Sequence, residues 1–156
     1  MNIKVIAVGK IKEQYLKDAL KEYEKRLSSF CTFSVIEIQA EQIVDESLCE
    51  KYKEIESERI LSAIKPNSYV ITLEIKGKKL SSEAFAEKIK DIANDGINDV
   101  SFIIGGANGL HKNVTDISSF KLSFSDMTFT HQMIRLLLIE QIYRAFKINA
   151  NEPYHR

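Results

Sequence analysis

Apolar and polar positions along the chain fall into blocks of two different periods. The first block, IKVIAV (residues 3–8), is short, β-branched and closed by Gly9, which predicts a buried strand. Leu16, Ala19, Leu20, Tyr23 and Leu27 then recur at helical spacing, with Lys17, Lys21, Glu22 and Lys25 on the opposite face. FSVIEIQ (33–39) predicts a second strand. Asp45 is placed to cap a charged helix reaching Ile64, with Leu48, Tyr52, Ile55, Ile60 and Ile64 as its apolar stripe and Pro66 and Asn67 as its stop. YVITLEI (69–75) predicts a third strand, and after the turn KGKK, Ser81 or Ser82 caps a helix carrying Phe85, Ile89, Ile92 and Ala93 that ends at Gly96. VSFIIGG (100–106) is apolar on both faces, as a central parallel strand should be. A short strand is expected at 121–125.

The last block is different. HQMIRLLLIEQIYRAFK (131–147) is a helix with Met133, Ile134, Leu136, Leu137, Leu138, Ile139, Ile142, Tyr143 and Phe146, too much apolar surface for one buried stripe. It should be covered on two sides, and a partner subunit is the expected second cover. The alternation as a whole predicts one α/β domain over 1–156, with a mainly parallel sheet flanked by helices. Ligands of such sheets bind beyond the carboxyl ends of the strands. That rule selects Leu73 and Glu74, the run 105–109, and the run 123–129.

Composition narrows the class of protein. The chain has 156 residues, 44% of them hydrophobic, enough for a single core. Its 22 basic residues cancel 22 acidic ones, so a polyanionic partner must be met by local patches. Cys31 and Cys49 are isolated and the opening MNIKVIAVGK carries no signal-peptide pattern, which predicts a reducing cytoplasm. The longest apolar run is far short of the roughly 18 to 20 residues needed for a membrane span.

Candidate chemistry gathers at the same strand ends. IIGGANGL puts Gly105, Gly106 and Gly109 after the most buried strand, where glycine permits positive φ and close approach to backbone amides. The spacing is neither a dinucleotide fingerprint nor a Walker loop, and it reads as a tight turn or as a ligand loop. SFSDMTF (123–129) mixes Phe124, Met127 and Phe129 with Ser125, Asp126 and Thr128, a composition that suits an adenine slot or a plug at the sheet edge. His111, His131 and His155 lack metal-ligand spacing, so no metal is expected. His131 with Arg135, and Glu140 with Arg144, lie four apart on the last helix. Such pairs usually stabilise a solvated face, but here they interrupt apolar surface, where a polar group should be paired or functional. Lys76, Lys78 and Lys79 form the clearest basic cluster. No GxSxG elbow or catalytic-thiol signature is present.

VITLEIKGK, FIIGGANGL, LSFSDMTFTHQMIRLLLIEQIYRAFKI and the closing EPYHR together resemble the RlmH family, the ribosomal RNA pseudouridine methyltransferases of the SPOUT superfamily. The resemblance spans the chain and is most specific over its last fifty or so residues. It implies a sheet whose C-terminal segment forms a deep trefoil knot, one of the few exceptions to the rule against threaded chains. It also implies a homodimer that transfers a methyl group from S-adenosylmethionine to N3 of a pseudouridine in helix 69 of 23S rRNA, with the assembled ribosome as substrate. Leu73, Gly105, Phe124, Ser125, Asp126, Met127, Thr128 and Phe129 would hold the cofactor. An imide nitrogen must lose its proton as it is methylated, and His155, then His131 or Glu140, are the candidates for removing it. Arg135, Arg144, Arg156 and Tyr154 would hold phosphates or stack on the base. Two other readings remain: a non-catalytic dimeric RNA- or ribosome-binding protein, and a SPOUT enzyme acting on tRNA.

Overall fold

The computed structural model describes residues 1–154. Five strands, β1 (Asn2–Val8), β2 (Thr32–Ile38), β3 (Tyr69–Lys79), β4 (Asp99–Ile104) and β5 (Phe120–Ser123), form one sheet in the order β2-β1-β4-β3-β5, and every neighbouring pair is parallel. Helices α1 (Gln14–Leu27), α2 (Cys49–Ala63), α3 (Ser82–Asn94), α4 (Lys112–Thr115) and α5 (His131–Asn149) make the connections and close the chain.

Alternation along the strands sorts the core into two layers. Ile3, Val5 and Ala7 of β1, with Ile71, Val100, Phe102 and Ile104, pack under α1, α3 and α5. Ile6 and Val8, with Val70 and Ile103, face the other way onto Ile60 of α2 and Val114 of α4. A one-residue slip in any of these strands would exchange the two sets, so the register is firmly specified. The central strands β1 and β4 are apolar on both faces because both faces are covered.

Helix α5 is covered by its own chain over part of its apolar surface, while Ile134, Leu136 and Leu137 stay half-buried. It lies between α3 and α1 against the sheet, burying Leu138, Ile139, Ile142, Tyr143 and Ala145 and leaving Met133 exposed. Thr130 starts it by accepting the amide of Met133 at 3.2 Å.

Three expectations need correction in detail. Asp45 caps a single 3-10 turn, Glu46–Leu48, before α2 begins. The stripe expected on α2 is only partly its buried face: Ile60 is buried, but Leu48 is exposed, Tyr52, Ile55 and Ile64 are half-buried, and Glu56 and Ser57 are buried beside Ile60. Apolar residues on α2 are scattered around the helix, so contact with the sheet, and not hydropathy, chose the face. β3 runs on to Lys79 past an irregularity between Leu73 and Lys78, where it pairs a second time with β5. Gly77 makes this possible, since a side-chain carbon there would come within 2.7 Å of the Lys121 carbonyl oxygen.

Candidate active site

β5 lies at the sheet edge beside β3, yet the segment after it ends at β1. His131 packs its ring against Gly9, and Gln132 accepts the amide of Lys12 at 2.9 Å. Residues 124–130 therefore cross the carboxyl ends of β3 and β4. The three runs selected from the sequence converge there. Leu73 stands opposite Leu122, Thr72 stands opposite Ile103, and Gly105 follows β4 directly.

The glycine run closes on itself. Gly106 and Gly109 pair across the turn, the amide of Gly109 donating to the Gly106 carbonyl at 3.0 Å, with Gly109 at φ 78°. Gly105 lies so close to this return that a side-chain carbon would meet the Gly109 carbonyl carbon at 2.9 Å. The crossing loop is exposed from Asp126 to Thr130, with Met127 and Phe129 among the most solvent-exposed large apolar side chains. Its shape is set by polar contacts: Ser125 Oγ accepts the Met127 amide at 3.0 Å, and Asp126 pairs with Lys79 at the end of β3. Adjacent to the glycine turn, a cavity of about 380 Å³ opens toward the ends of β1 and β2.

The candidates on α5 separate into two groups. At its start, His131 is half-buried and its imidazole is held below the ordinary range, first by burial and then by the neighbouring charges of Arg135 and Lys12, so the ring is neutral at pH 7. Arg135 is buried with 1% exposure; it donates to Glu37 Oε2 at 2.9 Å and to the Gly9 carbonyl at 3.0 Å. Glu37 also accepts the amide of Ile11 at 2.9 Å. The guanidinium thus fastens α5 to the turns after β1 and β2, a role for which burial is an asset. Replacing it by alanine leaves a large void and an unpaired carboxylate. Because Glu37 stays partly in water, the expected loss is at the low end for a broken buried pair, about 3 kcal/mol, seen as a lower urea midpoint with unchanged slope.

The second group lies on the C-terminal half of α5. Arg144 donates to Glu140 Oε1 at 2.5 Å, and the Tyr154 hydroxyl donates to the same oxygen at 3.2 Å. The Arg144 guanidinium covers the Tyr154 ring at 4.9 Å, and Tyr143 meets that ring edge-on, also at 4.9 Å. Burial, then the Tyr23 hydroxyl and the Glu140 carboxylate, push the Tyr154 phenol well up, so it stays protonated. The chain reaches this position by turning back through Asn151, at φ 56°. Tyr154 is thus docked, whereas His155 and Arg156 lie outside the described residues. Glu140 lies nine positions after His131, about 13 Å along the helix, so one chain does not bring the two groups together.

Sequence reading missed Glu56, a buried carboxylate facing the glycine turn 3.4 Å from where a side chain on Gly106 would begin. Its signal was available only as a position four before Ile60 on one helix face. His111 caps α4 through Nδ1, accepting the Asn113 amide at 3.2 Å. The Cys31 thiol is pushed up to about 11 by burial, which makes it a poor nucleophile. Among the described residues there is no group of three or more His, Cys, Asp or Glu side chains able to hold a metal, and no helix long and apolar enough to cross a membrane.

An all-parallel sheet with its loops gathered over the carboxyl ends, and a chain end that recrosses them, defines a class that comparison with known proteins makes explicit. Residues 1–155 match the family model described as "Predicted SPOUT methyltransferase", and the chain belongs to the SPOUT methyltransferase family. It is 54% identical, over the whole of both chains, to a protein of Methanococcus maripaludis strain C5 named "Putative ribosomal RNA large subunit methyltransferase H". The fold resembles a probable methylase family protein from Haemophilus influenzae Rd KW20, with a TM-score of 0.59 at 13% identity over 99% of this chain and 70% of that one.

Proposed function

We propose that the protein methylates N3 of a pseudouridine in helix 69 of 23S rRNA, on the assembled ribosome, using S-adenosylmethionine as donor. We propose further that it works as a homodimer in the cytoplasm. The observation that carries this reading is the full-length 54% identity to a relative named for ribosomal RNA methylation. The chain's path across the sheet end supports a knotted C-terminal segment.

The residues at the strand ends fit the donor. Gly105, kept bare by its contact with Gly109, lets a ligand approach backbone amides, while Met127 and Phe129 offer apolar walls at the surface. Leu73, Gly105 and the six residues Phe124, Ser125, Asp126, Met127, Thr128 and Phe129 would hold it. When bound, it supplies an electrophilic methyl group. What remains for the protein is alignment of the acceptor nitrogen and removal of its proton. Glu140 is already engaged by Arg144, Gln141 and Tyr154, which leaves it poorly placed to act as a free base. His131 is neutral and beside the site; His155 follows the docked Tyr154.

In one protomer Tyr154 is held on the far half of α5, so the tail is assigned to the site of the other subunit. Exposed Met133 and half-buried Leu137 on α5 are available for that interface. Isothermal titration with S-adenosylmethionine separates this reading from a non-catalytic ribosome-binding protein. Saturable heat at one site per chain is expected, and no heat would remove the enzyme reading. A tRNA substrate would appear as label in tRNA and none in rRNA.

A further inference from the structure

The cavity beside the glycine turn is built like a nucleobase site. Its volume, about 380 Å³, is near the lower end for ligand pockets and suits one nucleoside. Val8, Ile38 and Ile43 give it apolar walls, with Lys10 and Lys12 on the turn after β1. Ile43, which lines the cavity, is 45% exposed, an apolar edge facing water.

At the inner end stands the carboxylate of Glu56, only 7% exposed. A carboxylate in such a place is costly unless it is paired or used. The Glu41 amide hydrogen-bonds to it, and Arg59 holds the same wall by donating to Glu41 at 2.6 Å and to the Gln39 carbonyl at 2.8 Å. Burial raises the carboxyl from its ordinary range, which makes its ionised form a better proton acceptor. His131 and Gln132, at the start of α5 just after the crossing loop, line the same cavity as Gly106, Ala107 and Asn108 of the glycine turn.

Given a pyrimidine imide as acceptor, the reading on which this assignment rests, we infer that the flipped-out target base enters this cavity and that Glu56 accepts its N3 proton. An imide edge presents one N–H between two carbonyls. A carboxylate matches the central N–H, and the backbone amides of the glycine turn and the Asn108 side chain match a carbonyl beside it. In the step itself the N3–H bond breaks, with its proton going to the Glu56 carboxylate. The nitrogen pair forms the N–CH₃ bond as the S–CH₃ bond of the sulfonium donor breaks, and that pair leaves on sulfur as a neutral thioether. Lys10 and Lys12 meet the phosphates flanking the extruded nucleotide.

Two variants test this. Glu56→Gln keeps the shape and removes the acceptor: kcat on unmethylated ribosomes falls 10²- to 10⁴-fold, with unchanged titration of S-adenosylmethionine and unchanged thermal unfolding, and Glu56→Asp recovers part of the rate. Ile43→Trp narrows the mouth: KM for ribosomes rises at least 10-fold, and ribosome co-sedimentation without the methyl donor weakens, while donor binding is retained. A fully active Glu56→Gln protein overturns the assignment and leaves the proton to His155 or His131. Loss of donor binding in Ile43→Trp also overturns it, since the cavity would then belong to the donor. Wild-type protein that methylates no ribosome brings down the methyltransferase reading and the pocket with it, whereas active wild type with active Glu56→Gln brings down the pocket alone.

Discussion

Gly105→Ala is expected to abolish S-adenosylmethionine binding in a protein that still folds. A side-chain carbon at Gly105 would lie 2.9 Å and 3.0 Å from the carbonyl carbon and oxygen of Gly109 and 3.1 Å from Leu110 Cδ2. Two of these are backbone atoms, held by the pairing of Gly106 with Gly109, so they cannot rotate aside. The turn must open instead, moving the amides that face the proposed donor site. Overpacking of this kind costs about 1 to 3 kcal/mol, which a domain of this size tolerates with a drop of several degrees in Tm. The donor's Kd should rise at least 100-fold, equivalent to about 2.7 kcal/mol. Gly96→Ala is the control: it strains a positive φ of 78° but meets nothing within 4 Å, and it ends α3 far from the carboxyl ends. It should lose some stability and no donor affinity.

Removing residues 154–156 is expected to give the converse phenotype, with donor binding intact and methyl transfer to ribosomes reduced more than 100-fold. Tyr154 is anchored by Glu140, Tyr23, Tyr143 and Arg144, so the tail's direction is fixed up to that residue. If the tail serves the neighbouring subunit, two inactive proteins should rescue each other. A mixed dimer of the truncated chain and Gly105→Ala has one subunit with a sound donor site and one with a sound tail. Co-expressed chains, purified as the mixed dimer, should recover roughly half the activity per dimer, one site of two. Normal activity in the truncated homodimer, or no rescue in the mixed one, would remove the shared-site account.

Much of this was legible in the sequence, for reasons that also explain what was not. Strands such as 3–8 and 100–106 are uniformly apolar because they are buried on both faces, and the carboxyl-end rule then pointed to 73, 105 and 123–129 without any knowledge of packing. Arg135 was expected to be paired or functional, but sequence spacing cannot reveal that its partners are Glu37 and the Gly9 carbonyl, about a hundred residues away. Glu56 was invisible for a related reason: α2 has no dominant apolar stripe, so its buried face is chosen by tertiary contact. That α1 and α3 both pack on α5 was hidden for the same reason, since periodicity counts the apolar faces but not their neighbours. The crossing of 124–130 over the sheet end is a property of the chain's path, which no local pattern encodes.

The central claim is tested most directly by nucleoside mass spectrometry. Ribosomes lacking the helix 69 methyl mark are incubated with the purified protein and isotopically labelled S-adenosylmethionine, and their rRNA is digested. The account predicts one labelled N3-methylpseudouridine per large subunit, located in helix 69 and absent when Gly105→Ala replaces the wild type. No labelled nucleoside, or label in a nucleoside other than pseudouridine, would contradict it.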